Sequence, residues 1–66
     1  MLSIKDNQMS IRNYQKIIQI NDHKVVIQLQ SCQLQMLGEK FHVVALEKDE
    51  MQMEGRLYSL NFQYEK

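Results

Sequence analysis

The sequence predicts an all-β domain, a small antiparallel β-sandwich or barrel of about six short strands. Tyr58, Leu60, Phe62 and Tyr64 alternate strictly with Ser59, Asn61 and Gln63. That is the period of a half-buried strand, whose successive side chains point to opposite faces. Met51 and Met53 alternate in the same way with Glu50, Gln52 and Glu54. Upstream, short apolar runs rich in Ile and Val are separated by turns of a few residues, among them Asn21-Asp22 and Gly38-Glu39. No stretch carries helical periodicity without a competing strand pattern.

Residues 1–10 are polar and weakly patterned, which predicts a flexible N-terminal arm and leaves residues 11–66 as a single β domain. Ile11, Tyr14, Ile17 and Ile18 fit helical spacing, whereas Ile18 and Ile20 fit a strand. β-branched density and the turn signal Asn21-Asp22 favour a strand over residues 14–20. A hairpin then leads into residues 24–30, with Val25, Ile27 and Leu29 on one face and Gln28 and Gln30 on the other. The apolar parity changes at Leu34 and Met36, which requires a turn or bulge near residues 30–32. Gly38-Glu39 makes the next turn. Residues 41–46 are apolar on both faces, which predicts cover on both sides. Glu47-Lys48-Asp49 connects this run to the last strand, where the parity changes again across Gly55. One extra residue keeps both runs facing one core, and glycine tolerates the bulge. The expected core comprises Ile18, Ile20, Val25, Ile27, Leu29 and Leu34, then Met36, Phe41, Val43, Met51 and Met53, and finally Leu57, Leu60 and Phe62. The pattern does not place Met1 or Met9.

At 66 residues the chain has room for one domain of marginal stability as a lone monomer. Cys32 is the only cysteine, so no disulfide can help; a single thiol fits a reducing compartment, or simply a chain that does not depend on oxidation. The first ten residues lack the apolar run of a signal peptide. Val43-Val44-Ala45-Leu46 falls far short of the roughly 20 residues that span a bilayer. The expectation is a soluble, cytoplasmic protein with no membrane span. Lys+Arg and Asp+Glu balance at 8 each, giving zero formal net charge. That removes the counterion-release drive for binding a phosphate backbone and also weakens repulsion between copies. Proline is absent and glutamines stand at 28, 30, 33, 35 and 52, so strand edges are poorly defended against another chain. Both features point to a protein partner.

Catalytic chemistry finds little support. Cys32 with His23 or His42 lacks a third orienting residue, and these three stand at no metal-ligand spacing. Asp49, Glu50 and Glu54 read as solvated charges, since adjacent strand residues diverge. With only Gly38 and Gly55 there is no phosphate-cradling loop, and both read as turn or bulge positions. No catalytic, cofactor or metal site is expected, and an enzyme is not. Arg56 beside Tyr58, Phe62 and Tyr64 could form a stacking platform for single-stranded nucleic acid, as on small barrels. The simpler reading makes the aromatic stripe core, and zero net charge argues against nucleic acid.

The pattern resembles the YabP/YqfC family of sporulation proteins, closer to the YqfC branch. Asn13-Tyr14 leads into Ile17-Ile18. Leu34-Gln35-Met36-Leu37-Gly38 matches an apolar-x-apolar-x-Gly segment, and an apolar pair and charged loop follow within residues 43–50. Residues 51–62, from Met51 through Gly55 and Ser59 to Phe62, match the most specific part. Ser31-Cys32 departs from the pattern, since similar proteins tend to carry glycine there. The resemblance implies an immunoglobulin-like sandwich made in the mother cell, and a non-enzymatic structural or adaptor role in endospore formation. The implied partners are the protein itself or a membrane-associated sporulation protein like YqfD.

Overall fold

A computed structural model describes residues 2–64. They form six strands: β1 (Leu2–Lys5), β2 (Gln8–Arg12), β3 (Lys16–Ile20), β4 (Lys24–Gln28), β5 (Cys32–Leu46) and β6 (Glu50–Tyr64). All neighbours pair antiparallel in one open sheet, in the order β1-β2-β6-β5-β4-β3. The fold is all-β, as the sequence predicts. Hydrogen bonding gives one sheet, with no second sheet among the described residues.

The 15-residue strands β5 and β6 run the length of the molecule as one hairpin. β4 pairs with β5 only over residues 33–37, and β2 pairs with β6 only over Glu50 to Glu54. The sheet therefore has two halves joined by the hairpin. Val25, Ile27, Leu34 and Met36 come from one half, Met9, Ile11, Met51 and Met53 from the other, and Phe41 from the junction. These nine residues form one buried cluster, with Val25, Ile27, Leu34, Met36 and Met51 fully enclosed. A flat sheet without helices would leave such a face wet, so the sheet folds over on itself to make its own core.

The bend lies where the β5–β6 register slips, between Leu37 and Gly38, between Glu39 and His42, and again between Val43 and Ala45. Such slips insert unpaired residues, which kink a strand and increase its twist. Lys40 takes a left-handed conformation at φ 57°, and Gly55 opposite has φ 152°. Phe41 wedges between the two glycines. A Cβ at Gly55 would lie 2.6 Å from Phe41 Cδ1 and 2.9 Å from its Cα. At Gly38 it would lie 2.7 Å from Phe41 Cζ and collide with the carbonyl oxygen of Arg56. Both glycines are thus required by close approach, and Gly55 by its backbone angle as well.

Several expectations need correction. Residues 2–10 do not form a flexible arm: β1 and β2 make a hairpin that buries Met9, while Met1 lies outside the described residues. The Asp6-Asn7 turn, with Asp6 at φ 56°, closes it. Gly38-Glu39 is not a turn but the interior of β5. Residues 41–46 are not covered on both sides: Phe41 is buried, but Val43, Val44 and Leu46 are exposed. Ile18, Ile20 and Phe62 are exposed too, whereas Met9, Ile11, Val26 and Cys32 join the buried set. Leu29, Leu57 and Leu60 pack against the core while partly buried.

Other local readings match. Asn21 closes the β3–β4 hairpin: its Oδ1 accepts hydrogen bonds from the backbone N–H of His23 at 2.8 Å and of Lys24 at 2.7 Å. This is the side-chain mimicry of a backbone turn that favours asparagine there. The β4–β5 turn is held by Leu29 N–H donating to the carbonyl of Cys32 at 2.8 Å. Three polar pairs join residues directly opposite in register: the ion pairs Arg12 with Glu50 and Arg56 with Glu39, and the contact of His42 with Glu54. Their exposure limits their energy, but they favour one register over its neighbours.

Candidate functional site

The most distinctive surface is the outer edge of β6 beyond Gly55. Up to Glu54, β6 has a strand on each side; from Arg56 to Tyr64 it pairs with β5 alone among the described residues. Gly55 N–H donating to the carbonyl of Asn7 at 3.0 Å is the last bond across that side. The backbone groups that point away from β5 over residues 56–64 therefore face solvent, the arrangement that receives an added strand.

From Ser59 to Tyr64 the side chains along this edge are apolar on one face and uncharged on the other. Met36 lies opposite Leu60, Leu34 opposite Phe62 and Cys32 opposite Tyr64. Directly opposed residues share a face, so the stripe continues the core outward. Leu34 and Met36 are buried, yet Phe62 is 44% exposed and Tyr64 68%. The Phe62 and Tyr64 rings stack with centroids 6.5 Å apart. Tyr58, 62% exposed, is the bulge residue between the Leu37–Ser59 and Gly38–Leu57 pairs. Its hydroxyl donates to Glu39, whose carboxylate raises the phenol above its ordinary value of 10.0; desolvation adds to this and Arg56 opposes it. The alternation of Leu60, Phe62 and Tyr64 correctly indicates the shared face, whereas Tyr58, at the bulge, turns to Glu39 on the other face. It does not indicate that the opposing half of the folded sheet stops short of the rim.

The other sequence candidates are dispersed. Cys32 is buried and free at the start of β5. No hydrogen bond or ion pair joins it to His23, which pairs with Asp22 at 2.9 Å, or to His42, which pairs with Glu54 at 3.2 Å. Among the described residues no group of three or more His, Cys, Asp or Glu side chains is placed to hold a metal. A shallow hollow of about 320 Å³ lies at the bend, lined by Lys40, His42, Glu54, Gly55 and Arg56 among others. Its charges are of both signs and largely paired with each other. Gly38 and Gly55 flank Phe41, a structural role. Arg56 lies 3.7 Å from Glu39 rather than over an aromatic face. No helix among the described residues is long and apolar enough to cross a membrane.

A family model described as the YabP family matches residues 2–66. No curated protein and no solved structure matches the chain.

Proposed function

Because the chain belongs to the YabP family, and membership is consistent with a sporulation-related role, we propose that it is a non-enzymatic structural or adaptor protein of endospore formation. It works through protein–protein contacts in the mother-cell cytoplasm, with itself or with a membrane-associated sporulation protein of the YqfD kind. The observation that carries this reading is the open edge at residues 56–64, with Tyr58, Phe62 and Tyr64 exposed beside it. Strand addition gains main-chain hydrogen bonds along such an edge, and the apolar side chains of the incoming strand cover the rim. Exposed aromatics at a sheet edge are costly in isolation and reward a partner that desolvates them.

The test is complementation in an endospore-forming bacterium lacking the gene. The native chain should restore heat-resistant spores, whereas a folded variant with Tyr58, Phe62 and Tyr64 all changed to Lys should not. Full complementation by that variant would remove the edge from the account. Cys32→Ala should complement fully; a folded Cys32→Ala chain without activity in this assay would favour an enzyme instead.

A nucleic-acid-binding module is the second reading, favoured by the stacked, exposed Phe62 and Tyr64. The Arg56–Glu39 pair and zero net charge weigh against it. Retention of single-stranded RNA on a filter at low salt, lost in Arg56→Ala, would promote it over the adaptor reading.

A further inference from the structure

We propose that the edge at residues 59–64 pairs antiparallel with the same edge of a second copy, about a two-fold axis at Asn61, joining two six-stranded sheets into one. The inference rests on the binding role proposed above and names its first partner.

Among the described residues this free edge is both regular and uncharged. β6 pairs with β5 from Ser59–Leu37 to Tyr64–Cys32 without a slip, and no charged side chain lies between Ser59 and Tyr64. The other edges are guarded. β3 slips against β4 between Ile17 and Gln19 and begins on Lys16. The outer edge of β5 slips between Val43 and Ala45, and β1 is four residues long and ends on Lys5. Irregular pairing, short length and lysine are the devices that discourage strand addition.

The occupant must match the edge on both faces. It needs apolar side chains beside Leu60, Phe62 and Tyr64, and uncharged polar ones beside Ser59, Asn61 and Gln63. Over residues 59–63 the same strand, inverted, meets both requirements. With the axis at Asn61, Leu60 meets Phe62 of the second copy and Ser59 meets Gln63, while Tyr58, the bulge residue, lies beyond the regular pairing. Asn61 meets itself, and its amide can donate and accept at once. Like charge never faces like charge across residues 58–64, and the zero net charge leaves no long-range repulsion. A two-fold contact of this kind consumes the edge of both copies and closes at a dimer.

Light scattering on a sizing column, across a wide range of concentrations, tests the register with paired charges. Ser59 and Gln63 lie on the face away from the core stripe. Ser59→Lys with Gln63→Lys sets lysine against lysine twice in the dimer and should weaken it at least about tenfold. Ser59→Lys with Gln63→Glu sets opposite charges face to face and should leave the dimer intact. If either double variant is unfolded by circular dichroism, the single change Asn61→Lys decides, because it opposes two lysines at the axis and should yield monomer. A native chain that stays monomeric throughout would overturn the proposal, as would a Lys/Lys variant, or Asn61→Lys, that dimerises like the native chain. Loss of the dimer in both folded double variants would overturn the register. Complementation and light scattering are separate readouts: a native chain that complements yet stays monomeric removes self-pairing and leaves the adaptor reading, whereas a dimer whose edge variants still complement does the reverse.

Discussion

The two halves of β6 carry the same alternation and meet different fates. In Glu50 to Glu54 the odd residues Met51 and Met53 are fully buried, flanked by β2 on one side and β5 on the other. In residues 58–64 the even residues Leu60, Phe62 and Tyr64 share the core face with Leu34 and Met36, yet only Leu60 is substantially covered. Period-two patterning therefore specifies which face a residue occupies. Burial on that face depends on neighbouring strands and on how far the opposing half of the sheet extends. The first half is a core element and the second leaves an open strand edge with exposed apolar side chains.

The sharpest way to break this comparison is at the junction. Gly55→Ala combines overpacking of about 1–3 kcal/mol against Phe41 with backbone strain of about 1–3 kcal/mol. Chemical denaturation should show a loss that large, because the added methyl meets Phe41 Cδ1 at 2.6 Å and its backbone Cα at 2.9 Å. Since a domain of this size has only about 3–10 kcal/mol in hand, the single variant is expected near the limit of folding.

Next in size is the contrast between the halves themselves. Met51→Ala should cost about 2–5 kcal/mol through the cavity it leaves. Phe62→Ala, already 44% exposed, should cost about 1 kcal/mol of burial in the monomer. Equal losses at the two positions in dilute urea titrations would erase the distinction drawn here.

The smallest effect concerns Tyr58. Its hydrogen bond to Glu39 raises the phenol in the folded chain above 10.0. A group raised on folding contributes stability that is fully present below its unfolded value and is lost as pH rises through the folded one. The contribution should therefore persist at neutral pH and fade above about pH 10. Ultraviolet titration should show a late-ionising phenol that disappears in Tyr58→Phe, and Glu39→Gln should lower it.

How much of this was legible in the residues follows the same division. Gly55 as a hinge, the Asn21-Asp22 turn, and Met51 and Met53 inward all follow from local rules, and all appear in the fold. The β1–β2 hairpin was missed because its strands are short and polar, although Leu2 and Ile4, then Met9 and Ile11, do alternate around Asp6-Asn7. Gly38 looked like a turn because glycine commonly serves there. In the fold it makes room for Phe41 and the β6 backbone, a need created by a strand far away in sequence. The edge itself was legible only as composition, in the absence of proline and charge. Which strand it would be depended on where β2 stops, and no local pattern encodes that.

Residue-resolved amide hydrogen exchange along β6, at low and high protein concentration, tests the central claim most directly. In dilute solution the amides of residues 51–53 should be uniformly slow, while alternate amides of residues 59–64 exchange fast because they face solvent. At high concentration the fast set should slow as a second edge docks. Uniformly slow exchange over residues 59–64 at every dilution would show that the edge is covered within the monomer. An alternating pattern that never changes with concentration would leave it open and unused by its own copy. The first result would contradict the account of the open edge, and the second the self-pairing built on it.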